Sequence, residues 1–171
     1  EVVIYDALID PKLLSLTPKT CIDISVGKRG QGPSTPQLDI DQLLVHHCLQ
    51  GKRVVRLKSG DPAIFGRVAS EIQALQAAGC PFEVWPGLSS ALSVPTLAGI
   101  PLTDPLLSRS ILIVSAHDPS LLDWDLMARS ESLVVLMGGR SLSILTSSLQ
   151  RQGKSAGTPI AIIRWGGWPQ Q

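Results

Sequence analysis

Cysteine is scarce in this chain, and so are aromatic residues, charge of one sign and long apolar runs. The three cysteines, Cys21, Cys48 and Cys80, are odd in number and widely spaced, which suits neither a disulfide framework nor a zinc site. No metal is expected, and a reducing, cytoplasmic setting is. No apolar run approaches the ~20 residues of a membrane-spanning helix, so no membrane partner is expected. The formal net charge is only +1, and no Lys/Arg block forms an electrostatic footprint, which argues against a nucleic-acid partner. Met137-Gly138-Gly139-Arg140 could admit a ligand where a strand meets a helix, or be a plain structural turn. It lacks both the Gly-x-Gly-x-x-Gly and the Gly-x-x-x-x-Gly-Lys-Ser/Thr spacing, which disfavours dinucleotide and P-loop readings.

What is present is an ordinary globular composition, 17% charged with a mean hydropathy of +0.22, in a chain long enough for one large domain or two small ones. Apolar, β-rich runs recur at 2–5, 21–26, 53–57 and 82–85, separated by segments of helical spacing. Leu38, Leu43, Leu44 and Val45 read as the stripe of a helix ending near Gly51, and Ile72, Leu75 and Ala78 as another before Gly79. Strands alternating with helices predict an α/β fold with a parallel sheet, whose ligand crevice lies at the carboxyl ends of the strands. The informative loops are therefore Asp6, Gly27-Lys28-Arg29, Ser59-Gly60-Asp61 and Pro86-Gly87-Leu88-Ser89-Ser90.

The Gly/Pro-punctuated segment 99–105 suggests a boundary, giving an N-terminal domain over 1–104 and a second, incomplete α/β domain over 105–171. The second is expected to hold strands at 110–114, 132–136 and 158–164 and helices near 121–129 and 141–152. Both ends read as cut, so a fragment is expected.

The densest signal is Arg56-Leu57-Lys58-Ser59-Gly60-Asp61-Pro62-Ala63-Ile64-Phe65-Gly66-Arg67. A strand stops at a glycine that lets a ligand approach the backbone, an aspartate supplies a carboxylate, and a proline stiffens the turn. This run resembles the signature of the uroporphyrinogen-III C-methylases of the tetrapyrrole methylase family. Stretches 3–8, 26–29, 83–91 and 98–103, then Met137-Gly138 and 159–163, resemble the same family in the same order. The resemblance covers nearly the whole chain.

That resemblance implies a two-domain α/β methyltransferase that binds S-adenosylmethionine between its domains, acts on a tetrapyrrole and forms a homodimer. Cofactor contacts would fall on Ser59, Gly60, Asp61 and Ile64, on Ser89 and Ser90, on Met137 and on Gly166, and acid/base roles on Asp6 and Lys28. A methionine moiety needs partners for an ammonium and a carboxylate, and adenine needs apolar walls, so these residue types are suitable. Asp6 could equally cap a helix, Lys28 be solvated and Met137 fill a core. Arg29, Arg56, Lys58, Arg67 and Arg109 are the candidate cations for substrate carboxylates.

The chain departs from the family pattern at Ser59, at Ala63, over Val68-Ala69-Ser70-Glu71 and at Asp104-Pro105. The family's first strand and its Gly-x-Gly-Pro-Gly-Asp loop would lie upstream of Glu1. The leading expectation is C-methylation of uroporphyrinogen III to precorrin-2, for sirohaem or cobalamin. The alternatives are a methylase of another tetrapyrrole, of diphthamide or of ribosomal RNA, a non-catalytic tetrapyrrole-binding protein, and a nucleotide-binding oxidoreductase domain.

Overall fold

The structure is a computed structural model that describes residues 1–27 and 35–171. Its residues pack into two compact units, Glu1–Leu88 and Ser89–Gln171.

In the first unit, β1 (Val2–Tyr5) lies between β2 (Ile22–Ser25) and β3 (Val54–Leu57), and both pairings are parallel. A central parallel strand is covered on both faces and so reads as an unbroken apolar run. Val2-Val3-Ile4 does, and all three are buried. Helices α1 (Gln37–Leu49) and α2 (Val68–Ala77) pack against one another. Ile40 and Leu44 of α1 join Val2, Ile4 and Val26 in the core, with Val54 and Leu75 packed against it. Each such side chain taken fully out of water contributes about 1.5–3 kcal/mol. Ser70 Oγ donates to Asp41, which also accepts from Gln37 Nε2 at 2.8 Å. The residue that departs from the family pattern at 70 thus ties α2 to α1.

In the second unit, β4 (Ile111–Ser115) pairs in parallel with β5 (Ser132–Leu136). Leu112 and Val114, and Leu133 and Val135, sit at the period of two that places them on one face. They pack on Ala116, on Met127 of α4 (Trp124–Arg129) and on Leu145 of α5 (Leu142–Arg151). Asp123 caps α4 by accepting from the Leu126 amide at 3.0 Å. A further helix, α3 (Ser90–Leu97), precedes them and contacts β5. The two units therefore part after Leu88, ahead of the punctuated segment at 99–105, because α3 packs with the second unit.

The α/β class with parallel pairing is as expected. Two expected strands are corrected: 82–85 and 158–164 are irregular. A β-rich run becomes a strand only where a neighbour accepts its ladder, and neither segment pairs with a strand among the described residues. Phe82, Val84 and Trp85 are exposed accordingly.

Candidate functional site

At the carboxyl edge of the first unit's sheet, the segments leaving β1 and β3 lie side by side. The Asp6 amide donates to the carbonyl of Leu57, the last residue of β3, at 3.2 Å. Beyond it the chain runs through Ser59, exposed Gly60 (φ +79°), Asp61 and half-exposed Ile64. The Asp61 carboxylate serves two backbone donors, Oδ1 the amide of Ala63 at 2.8 Å and Oδ2 the amide of Gly87 at 3.1 Å. It therefore latches its own turn to the Pro86-Gly87 turn. The two turns approach so closely that a Cβ on Gly87 would lie 2.1 Å from the Gly60 carbonyl oxygen.

Behind this edge lies an ion network. Glu71, in the first turn of α2, is buried. Its Oε1 accepts from Arg56 Nε at 2.9 Å and from Lys58 Nζ at 2.7 Å, and its Oε2 from Lys58 at 2.9 Å. Arg56 and Lys58, two residues apart, leave the strand on one face. Arg56 also donates to the carbonyls of Ile4 at 3.2 Å and Leu57 at 3.1 Å, and its remaining nitrogen pairs with Asp6. Arg56 and Lys58 are thus occupied internally, which corrects their reading as cations for substrate carboxylates. Arg109 Nε donates to the Pro105 carbonyl at 3.1 Å. Arg67 sits at the start of α2 with φ +58°. Lys28 and Arg29 lie outside the described residues.

In the second unit, Met137 follows β5 with φ +58° and is exposed. A non-glycine residue held there costs on the order of 1–3 kcal/mol, a strain that concentrates at functional positions. Met137 lines a cleft of about 770 Å³ together with Ala116, His117, Gly139, Arg140 and Arg164. Two guanidiniums and an imidazole suit this cleft to an anionic group. His117 and Arg164 were missed by the sequence reading, whereas Arg140 belongs to the loop it singled out; His117 stands just after β4, a signal by position, and Arg164 ends an irregular segment that carries no such signal. Ser89 is buried as the cap of α3, its Oγ accepting from the Ala91 amide at 3.2 Å, and Ser90 is exposed in the first turn. Gly166 abuts α3, where a Cβ would meet both γ-carbons of Val94 at 2.6 Å. Within the first unit the structure thus gathers Asp6 and the Ser59–Ile64 turn at one sheet edge. In the second, Met137 lies at the cleft, while Ser89, Ser90 and Gly166 lie on or against α3.

The order of strands and loops that positions these groups is shared with a known family. Tetrapyrrole (Corrin/Porphyrin) Methylases match the chain over residues 1–171. The chain belongs to the tetrapyrrole methylase family. Among the family's curated proteins it is 55% identical to the uroporphyrinogen-III C-methyltransferase of Synechococcus elongatus over 171 residues, all of this chain and 70% of the relative. It is 43% identical to the siroheme synthase of Mannheimia succiniciproducens, covering 97% of this chain and 36% of that protein. The chain thus spans about a third of such longer relatives. The uroporphyrin-III C-methyl transferase of Thermus thermophilus, solved in complex with S-adenyl homocysteine, superposes with a TM-score of 0.72 at 37% identity, over 90% of this chain and 65% of that one. A cobalt precorrin-4 methyltransferase shares the fold at a TM-score of 0.83 and 21% identity, over 98% of this chain and 70% of that one. The S-adenyl homocysteine held by the Thermus thermophilus enzyme is what S-adenosylmethionine, the cofactor expected from the sequence, becomes on giving up its methyl group.

Proposed function

We propose that this member of the tetrapyrrole methylase family catalyses S-adenosylmethionine-dependent C-methylation of uroporphyrinogen III, giving precorrin-2. The observation that carries the reading is a carboxylate, Asp6, fixed by Arg56 at the carboxyl edge of a parallel sheet beside the latched Gly-Asp turn. The match of this whole chain to 70% of the Synechococcus elongatus uroporphyrinogen-III C-methyltransferase supports it.

The residues present fit the donor. Its methionine carboxylate requires cations, which Arg140 and Arg164 supply around the cleft, with the His117 ring as a further hydrogen-bonding group, and its apolar parts suit the exposed thioether of Met137. Gly60 and Gly87 leave backbone exposed where a side chain would block approach. Ser59, Gly60, Asp61, Ile64, Ser90 and Met137 would contact it, with Ser89 and Gly166 setting α3 in place. When bound, S-adenosylmethionine supplies an electrophilic methyl group. Asp6 would stabilise the positive charge that develops on the pyrrole ring as its carbon is alkylated, and then take up the departing proton. Lys28 is the second expected acid/base group.

The two compact units would be the family's two domains, and the chain would act in the cytoplasm as a homodimer. No helix among the described residues is long and apolar enough to cross a membrane, and Cys21, Cys48 and Cys80 are free thiols. Leu106 and Leu107, exposed side by side, suit a subunit contact. Ultracentrifugation should give twice the chain mass; a monomer would remove the dimer from the account.

The reading is tested by transfer of a labelled methyl group from S-adenosylmethionine to uroporphyrinogen III under anaerobic conditions, alongside binding of S-adenosylhomocysteine by calorimetry. Binding with transfer is expected. Binding with no label in the tetrapyrrole would move the function to another acceptor.

A further inference from the structure

We propose that Glu71 is a positioning residue for methyl transfer, acting through Arg56 to fix the carboxylate of Asp6. The proposal rests on the reading above that Asp6 serves the reaction.

Glu71 lies one turn before Leu75, which packs against the apolar core, and the i, i+4 spacing puts both on the same face of α2. An apolar side chain would suit such a position. Removing a carboxylate from water there carries a desolvation penalty that only close ionic partners offset. The chain provides two, Arg56 and Lys58, and the side chains of Arg56, Lys58 and Glu71 are 12%, 6% and 4% exposed.

Each of the three guanidinium nitrogens of Arg56 is engaged. Nε is held by Glu71, one terminal nitrogen by the carbonyls of Ile4 and Leu57, and the other points to Asp6. A planar guanidinium fixed along two edges cannot turn about its axis, so the direction of the third is set by the first two. Lys58 on both oxygens of Glu71 in turn fixes the rotation of that carboxylate. The network is asymmetric. Three of its members are nearly buried, whereas the Asp6 side chain is 32% exposed. Order thus runs from an enclosed anchor to one solvent-facing carboxylate at the carboxyl edge of the sheet, where a small misplacement of a reacting group lowers rate more than affinity.

The test compares full-chain Asp6→Asn, Glu71→Gln and the double variant, with kcat, KM for S-adenosylmethionine and S-adenosylhomocysteine affinity read in each. Glu71→Gln keeps the side-chain shape while releasing part of its hold on Arg56. It should lower kcat by about tenfold or more and leave cofactor KM and affinity within about twofold. In the Asp6→Asn background the same change should have little further effect, because Glu71 acts through Asp6. Multiplying effects in the double variant, or equal losses in kcat and affinity, would make Glu71 a stability residue and overturn the proposal. Arg56→Gln breaks the relay while leaving the Lys58–Glu71 pair, and it serves as the second variant if Glu71→Gln does not fold. It too should be silent in the Asp6→Asn background, and an additive loss would overturn the proposal. A wild-type chain that methylates no tetrapyrrole, or whose rate is unchanged by Asp6→Asn, refutes the reading of Asp6 and the proposal with it. A slow Asp6→Asn with an unaffected Glu71→Gln refutes the positioning role alone.

Discussion

Both oxygens of Asp61 accept from backbone amides, Ala63 on its own turn and Gly87 on the neighbouring one. Carboxylate-to-amide bonds of this kind are stronger than neutral ones, and losing the acceptor strands two donors. Asp61→Ala should therefore loosen the paired turns and weaken S-adenosylmethionine binding by more than about tenfold. Calorimetry reads this directly, and unchanged affinity would remove Asp61 from the site. Met137 presents the opposite balance, since its backbone is strained and its side chain exposed. Met137→Gly should leave stability unchanged or raise it by up to about 1 kcal/mol while weakening S-adenosylhomocysteine binding. A loss of more than about 2 kcal/mol in urea unfolding would show that Met137 packs rather than binds. The sequence made Asp61 and Met137 visible, one by its glycine-proline setting and the other by its place after a β-rich run. Glu71 entered the sequence reading only within the stretch 68–71 and with no role, because a lone acidic residue in a first helical turn is the ordinary complement of the helix dipole. Only the packing of α2 on the sheet turns it inward, and with it Arg56 and Lys58, which a sequence presents simply as cations.

Close approach of turns makes the elements interdependent. At Gly87 the obstacle to a side chain is the Gly60 carbonyl, a backbone atom that cannot swing aside. Gly87→Ala should destabilise the first unit by about 1–3 kcal/mol and reduce cofactor affinity with it; a variant of wild-type stability would show that the turns separate easily. Helix α1 carries a pH dependence. His47 is buried, with Lys52 Nζ 3.4 Å from its Nδ1. Burial first, then the positive charge of Lys52, lowers its pKa from the ordinary 6.5. A folded-state pKa below the unfolded one contributes stability that is fully present above about pH 6.5 and is lost as the pH falls through the folded value. Unfolding free energy should therefore drop from about pH 7 to about pH 5, and His47→Gln should flatten that slope; an unaltered slope would assign the dependence elsewhere. Strands β1 to β5 and, among the described residues, four of the five α-helices were legible from periodicity and from glycines at helix ends. Helix α3 was not, because Pro95 lies inside it and a proline within apolar spacing reads as a break. The segments at 82–85 and 158–164 were read as strands from local preference, which cannot reveal whether a neighbour will pair with them.

For the molecule as a whole, near-neutral charge conceals a division between occupied and available cations. Glu71 and Asp6 engage two of them inside the first unit, whereas Arg140 and Arg164 face a cleft in the second. A ligand rich in carboxylates can therefore be met locally without a basic surface. The family and the parallel α/β architecture were legible because an ordered series of short motifs spans the chain. The acceptor is specified by side-chain groupings that form only on folding. The central claim concerns that acceptor, and the most direct measurement is the mass of the tetrapyrrole over time when the purified full chain is incubated anaerobically with uroporphyrinogen III and S-adenosylmethionine. Two successive methyl additions are predicted. A tetrapyrrole that stays unmethylated while the protein binds S-adenosylhomocysteine would contradict it.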